Sequence, residues 1–166
     1  FLILVVLTLV TLGILFIYSS SVNSDGVSVT NEHIKQIIWA SIGFVFSIVL
    51  TIYDFRKIEK MSLYLYITLI LLLIYTFFFG KLVNGAKSWI GIGDFGVQPS
   101  EFGKIVFILF LAWYLDESEN VESKKRFFIS LVIMLVPMGL ILLQPDLGTA
   151  SVYIPIFLIM CYFAGI

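Results

Sequence analysis

Charged residues are scarce in this chain of 166 residues: 13% are Asp, Glu, Lys or Arg, whereas 60% are hydrophobic. A soluble domain carries about 25% charged residues, so this composition excludes an ordinary soluble fold. The net charge is only −1, and no basic cluster indicates binding to nucleic acid. The sequence therefore predicts a protein whose solvent is largely the lipid bilayer.

Cysteine and histidine each occur only once, at Cys161 and His33. A single cysteine excludes an intrachain disulfide, and the apolar neighbours of Cys161 favour a packing role. His33 has Glu32 beside it but none of the further His, Cys or carboxylate ligands that a zinc site needs. The residues indicate no metal site and no evident cofactor, and the use of a divalent cation stays open.

Long apolar runs are what the chain has in abundance. A helix needs about 20 residues to cross the hydrocarbon core, and only helices satisfy the backbone there in an open structure. We predict an all-α, polytopic transmembrane helix bundle with about six spans, near residues 2–18, 34–53, 61–79, 100–115, 127–143 and 150–166. Both ends lie inside apolar runs and no initiator Met is present, so we expect a fragment of a longer protein.

Basic residues are unevenly divided among the breaks between these runs. Six Lys or Arg residues lie in breaks 54–60 and 116–126, whereas the other three breaks hold only Lys81 and Lys87. Cytoplasmic loops carry the excess of Lys and Arg. We therefore expect a cytoplasmic N-terminal end, with breaks 19–33, 80–99 and 144–149 on the external face.

The most unusual segment is NGAKSWIGIGDFGVQPSEFGK, residues 84–104, a polar loop that leads into an apolar run. Its glycines at 91, 93 and 96 match G-x-G-x-x-G, but the βαβ context of a dinucleotide site is missing and we reject that interpretation. The glycines are better explained by tight turns and close backbone approach. Lys87, Trp89 and Asp94 in this loop fit either an interfacial anchor or a site for an anionic ligand.

Pro99, Ser100 and Glu101 form a helix-start signal, because proline suits the first turn and an acid there faces the positive end of the helix dipole. Lys104 lies three residues on, on the same helix face as Glu101, and an ion pair is feasible. One interpretation is a self-neutralising pair with Lys104 directed towards the interface. The other, which we favour, is a polar site where Lys104 meets an anionic ligand.

A second short motif, QPDLGT, occupies residues 144–149 after another apolar run. Pro145 and Gly148 predict a tight external turn. Asp146 is expected either to cap the next helix by accepting backbone N–H groups or to join the polar site at the helix start formed by Pro99, Ser100 and Glu101. Gln144 and Thr149 complete the motif on the same membrane face.

These two motifs, with YSSS at residues 18–21 and YDFR at 53–56, resemble the SEDS family of bacterial shape, elongation, division and sporulation proteins. The resemblance runs across the whole chain. The residues that match the family's motifs are Lys87, Gln98, Pro99, Ser100, Glu101, Lys104, Gln144, Pro145, Asp146, Gly148 and Thr149. Many relatives place an Arg immediately before the Trp, where this chain has Ser88 and its cation one residue earlier.

The resemblance implies ten spans and a peptidoglycan glycosyltransferase in the bacterial cytoplasmic membrane. Such an enzyme polymerises lipid II on the outer face and works with a class B penicillin-binding protein. Its catalytic aspartate is expected after the seventh span, beyond residue 166. Lys87 or Lys104 would then stabilise the leaving lipid pyrophosphate while a carboxylate accepts the acceptor hydroxyl's proton.

Two other functions remain open at this stage. A lipid II flippase would also place Glu and Lys inside the membrane, and a non-catalytic scaffold of the cell-wall synthesis complex would need no chemistry. Within the family, QPDLGT and the short second break favour the elongation branch over the division branch.

Overall fold

The structure is a computed structural model that describes residues 1–21, 31–52, 55–83, 85–92 and 95–166. The chain divides into two compact units, Phe1–Asp54 and Phe55–Ile166. The first unit contains α1 (Leu2–Ser20) and α2 (Glu32–Ile52), which pack on each other. Hydroxyls on both helices, such as those of Thr8 and Ser41, donate to the carbonyl four residues earlier. These hydroxyls thus find acceptors within their own helix, as lipid requires.

The second unit is a bundle of four long helices with a short helix and a small sheet. Its elements are α3 (Phe55–Lys60), α4 (Ser62–Phe79), β1 (Lys81–Val83), β2 (Ala86–Ile92), β3 (Phe95–Val97), α5 (Pro99–Glu117), α6 (Ser123–Leu143) and α7 (Leu147–Phe163). Helix α5 packs on α4, α6 and α7, so it is the central helix of this unit. The core around it includes Leu73, Phe107, Leu111, Ile141, Tyr153 and Phe157.

The prediction of an all-α, polytopic helix bundle is confirmed for the described residues. Four helices are long and apolar enough to cross a membrane, namely α1, α2, α4 and α6. Helix α7 is apolar but has 17 residues, and α5 has 19 residues with charged side chains in both end turns. The count of six spans stays a prediction.

The loop between α4 and α5 is more ordered than its sequence predicts. Residues of the break 80–99 form a three-stranded antiparallel sheet in the order β1-β2-β3. Trp and Ile favour a half-buried strand in β2. Trp89 of β2 packs over Gly96 of β3, where a Cβ would lie 2.9 Å from its ring. The pairing is antiparallel throughout, which agrees with rejecting a βαβ nucleotide site; Gly93 and Asp94 lie outside the described residues.

Arg126, one of the basic residues that predict topology, is buried at the start of α6 with 9% of its surface exposed. Its guanidinium donates to the carbonyl oxygens of Leu115 and Ala164 and, at 3.1 Å, to the hydroxyl of Ser118. The last carbonyls of a helix have no partner within the helix. Arg126 therefore supplies donors to the ends of α5 and α7 together.

Candidate functional site

Asp146 is the point at which the two sequence motifs meet. Its carboxylate accepts hydrogen bonds from the Gln98 side-chain amide at 2.7 Å and from the Thr149 hydroxyl at 2.8 Å. It also accepts the backbone N–H of Thr149 at 3.0 Å, as the N-cap of α7. Three donors occupy this carboxylate, so in this structure it holds two helix starts together.

Gln98 joins this contact to the charged pair that follows it. While its side chain donates to Asp146, its backbone carbonyl accepts the N–H of Glu101 at 3.1 Å. Pro99 and Ser100 are buried in the first turn of α5, and the Ser100 hydroxyl has no partner within the described residues. The start of α5 is therefore anchored to the start of α7 directly before its first charged residue.

Glu101 and Lys104 form the ion pair that their spacing predicts. The ammonium of Lys104 lies 2.9 Å from each carboxylate oxygen of Glu101. The side chain of Lys104 is 23% exposed and that of Glu101 is 52% exposed. An ion pair of this spacing stabilises a helix by only about 0.2–0.5 kcal/mol. Lys104 can therefore exchange Glu101 for a competing anion at little cost.

Gln144 attaches the turn between α6 and α7 to the neighbouring helix. It is 1% exposed, and its amide donates to the backbone carbonyl of Leu73 in α4 at 2.9 Å. The other amide atom, Oε1, is buried and has no partner within the described residues. Pro145 and Gly148 are exposed on either side of Asp146. The second motif is thus fixed to α4 by Gln144 and to α5 by Asp146.

Lys87 lies on β2, apart from these contacts. It is exposed and lines a cavity of about 350 Å³ with apolar side chains of α4 and with Pro145. The adjacent Ser88 is 2% exposed, and Trp89 is half-buried. The register between β1 and β2 shifts at this point, from Lys81 opposite Trp89 to Leu82 opposite Lys87, so Ser88 is an extra residue on β2. Lys104, at the anchored start of α5, is the stronger candidate for an anion contact.

Two residues beneath the charged pair, Tyr153 and Gly103, were missed from the sequence. Tyr153 on α7 is completely buried, and its hydroxyl packs against Gly103, where a Cβ would lie 2.7 Å away. The available signal was spacing: Tyr153 follows Thr149 by four residues and shares its helix face. Among the described residues, no three of His, Cys, Asp and Glu group as a metal site would require.

The fold and this polar cluster define a multi-pass membrane protein with charged and amide side chains gathered at one end of a helix bundle. Residues 1–166 match the family model of FtsW, RodA and SpoVE, described as cell cycle protein. The chain belongs to this family, as the resemblance predicted.

Individual relatives and solved structures agree with this family assignment. The chain is 54% identical to the peptidoglycan glycosyltransferase RodA of Treponema pallidum over 99% of this chain and 38% of the relative. It is 32% identical to stage V sporulation protein E of Bacillus subtilis, over 99% of this chain and 47% of the relative. The crystal structure of Thermus thermophilus RodA matches with a TM-score of 0.86 and 26% identity, over 99% of this chain and 53% of that one. The chain thus spans about half the length of these proteins or less.

Proposed function

We propose that the protein containing this chain is a peptidoglycan glycosyltransferase that polymerises lipid II into glycan strands for cell elongation and shape. Family membership over the whole chain supports this activity, since the relative that is 54% identical is named a peptidoglycan glycosyltransferase. The elongation role rests on the 54% identity to a RodA, against 31% to an FtsW of Trichlorobacter lovleyi.

The observation that carries the proposal is the Glu101–Lys104 pair at the anchored start of α5. Chain growth breaks a bond between a sugar and a lipid pyrophosphate, and negative charge grows on the leaving group. A half-buried ammonium held in place beforehand stabilises that charge. The cation proposed for this role is Lys104, with Glu101 as its counter-ion in the absence of substrate. The general base is expected outside residues 1–166.

The location and partner are part of the same proposal. The bacterial cytoplasmic membrane is the proposed location, which membership of this bacterial family supports. The distribution of Lys and Arg supports a cytoplasmic N-terminal end, with the α5 start on the external face. A class B penicillin-binding protein is the proposed partner. Its support is a structural match, with a TM-score of 0.76 and 28% identity over 92% of this chain and 44% of that one, to a chain of a peptidoglycan synthase complex that coordinates polymerization and crosslinking.

The test is Lys104→Ala in the full-length protein, with labelled lipid II as substrate. We expect glycan polymer to fall by at least about a hundredfold, because the growing pyrophosphate charge loses its cation. Lys35→Ala is the matched control, since Lys35 also pairs at 2.9 Å with an acid three residues earlier, Glu32. It should retain wild-type activity, and both variants should insert into the membrane normally.

The alternatives give different results in the same experiments. Movement of lipid II between leaflets without polymer would identify a flippase. Full rescue of a depleted strain by a Lys104→Ala, Asp146→Ala double variant would identify a scaffold. Normal polymer formation by Lys104→Ala alone would contradict the role proposed for Lys104.

A further inference from the structure

A buried proline lies inside α6, the helix that leads to the second motif. Pro137 is fully buried and has no backbone N–H. The carbonyl of Ile133, four residues earlier, therefore lacks the donor that any other residue at position 137 would give it. Helix α6 is apolar and long enough to cross a membrane. Within hydrocarbon no water replaces a missing donor, so a neighbouring helix has to supply one.

Tyr66 of α4 supplies this donor. Its hydroxyl donates to the carbonyl of Ile133 at 2.8 Å. Its half-buried ring stacks on that of Phe110 in α5, with the ring centroids 4.5 Å apart and the planes at 26°. Phenylalanine at position 66 would stack in the same way but would leave the Ile133 carbonyl unpaired, which is costly inside a protein. The hydroxyl, rather than the ring, therefore satisfies the backbone of α6.

The same two helices make a second polar contact nearer the site. Gln144, at the end of α6, donates from its amide to the carbonyl of Leu73 in α4 at 2.9 Å. Tyr66 and Gln144 thus attach α6 to α4 on both sides of the proline. Directly beyond this attachment, Asp146 accepts the amide of Gln98 at 2.7 Å and anchors the start of α5. A displaced end of α6 would therefore displace the anchor of α5.

We propose that Tyr66 is a positioning residue, whose hydroxyl replaces the donor that Pro137 removes from α6 and thereby fixes the turn that carries Asp146. This inference rests on the proposed function, in which Lys104 stabilises charge on the leaving pyrophosphate. That interaction is stronger in the transition state than in the bound substrate, so a displaced α5 start lowers kcat more than it raises KM. A tyrosine that only fills space would leave the kcat of the folded enzyme unchanged.

The first measurement is a double-variant cycle of Tyr66→Phe with Pro137→Ala in the full-length protein, by thermal unfolding in detergent. Tyr66→Phe should lower the unfolding temperature by about 2–5 °C. In the Pro137→Ala background it should lower it by less than about 1 °C, because the residue introduced at position 137 donates its own N–H to Ile133. Pro155→Ala is the matched background, since Pro155 is an exposed proline inside α7, and there Tyr66→Phe should keep its full effect.

The second measurement is steady-state polymerisation of labelled lipid II per mole of folded protein. Tyr66→Phe should lower kcat about tenfold, with KM within about twofold of wild type. In the Pro137→Ala background the same change should alter kcat by less than about twofold. Tyr64→Phe on α4 is the control, because Tyr64 is 69% exposed, and it should keep wild-type values.

An equal fall in unfolding temperature in the wild-type and Pro137→Ala backgrounds, or no fall in either, would overturn the inference, since the hydroxyl would not replace the missing donor. Coupled stabilities with an unchanged kcat would overturn the positioning role. If wild type polymerises lipid II and Lys104→Ala does not, either result leaves the proposed function standing. Absence of polymer from the wild-type protein would overturn the proposed function and the positioning role together.

Discussion

At the scale of single residues, Asp146 shows how one side chain can connect motifs that lie far apart in the chain. It accepts donors from Gln98 and Thr149, so its carboxylate is an N-cap and an interhelix contact at once. The spacing within QPDLGT allowed the cap to be predicted as one alternative. The contact with Gln98, 48 residues earlier, had no local signal.

Replacing Asp146 tests this connecting role. Asp146→Ala should destabilise the protein by about 2–4 kcal/mol, because a helix cap and a charge-assisted hydrogen bond are lost together. Asp146→Asn should cost about 1 kcal/mol, since asparagine also caps helices and retains one acceptor oxygen. Unfolding in detergent measures both. Equal stability of the alanine variant and wild type would contradict the assignment.

The position of Lys87, the cation in the loop between α4 and α5, also depends on single residues. By sequence, Lys87 is the family's basic position moved by one residue. In the structure Lys87 is exposed and Ser88 is buried on β2, so the cation occupies an exposed position beside a buried one. Its role in substrate binding stays a prediction, and Lys104 is the better supported cation.

At the scale of elements, the close contact of α5 and α7 depends on one small residue, Gly103. A Cβ at this position would lie 2.7 Å from the Tyr153 hydroxyl and 3.0 Å from the side chain of Leu69 on α4. Three helices therefore meet where α5 lacks a side chain. Close packing leaves little space for an added methyl group at such a site.

Gly103→Ala should therefore destabilise the protein by about 1–3 kcal/mol through overpacking, although alanine favours helix. Gly139→Ala on α6 is the matched control, because a Cβ there meets nothing within 4 Å. It should be neutral or stabilising by up to about 1 kcal/mol. Thermal unfolding of both variants is the measurement. A Gly103→Ala protein as stable as Gly139→Ala would show that α5 and α7 are less tightly packed than described.

At the scale of the whole molecule, polar contacts hold each end of the second unit. At one end Asp146 and Gln144 link the start of α7 and the end of α6 to α5 and α4. At the other end Arg126 donates to the ends of α5 and α7. Lipid gives helices little hydrophobic reason to associate, so packing and interhelix hydrogen bonds carry that role.

Removal of the Arg126 contacts should destabilise the packing of the C-terminal ends of α5 and α7. Arg126→Ala should lower stability by about 2–4 kcal/mol, because helix-end carbonyls and a serine hydroxyl lose a charged donor inside the protein. Lys125→Ala is the control, since Lys125 is the exposed neighbour with the same charge. Protease accessibility of residues 116–126, together with thermal unfolding, checks the result. If the two variants behaved similarly, Arg126 would not stabilise the ends of α5 and α7, and its charge would serve only to orient the protein in the membrane.

The sequence by itself determined the long helices of this protein, the neighbouring positions of Glu101 and Lys104 on one helix face, and the family; the short helix α3 lies in a segment expected to be a loop. Apolar runs near bilayer length must form helices in lipid, because no water is present to satisfy the backbone, and residues three apart on a helix are neighbours. Only the tertiary structure decided that Gln98 meets Asp146, that the loop between α4 and α5 forms a sheet, and that the Tyr153 hydroxyl lies against α5 at Gly103. Those contacts join residues far apart in the chain or lie between elements, where no local periodicity specifies the partner.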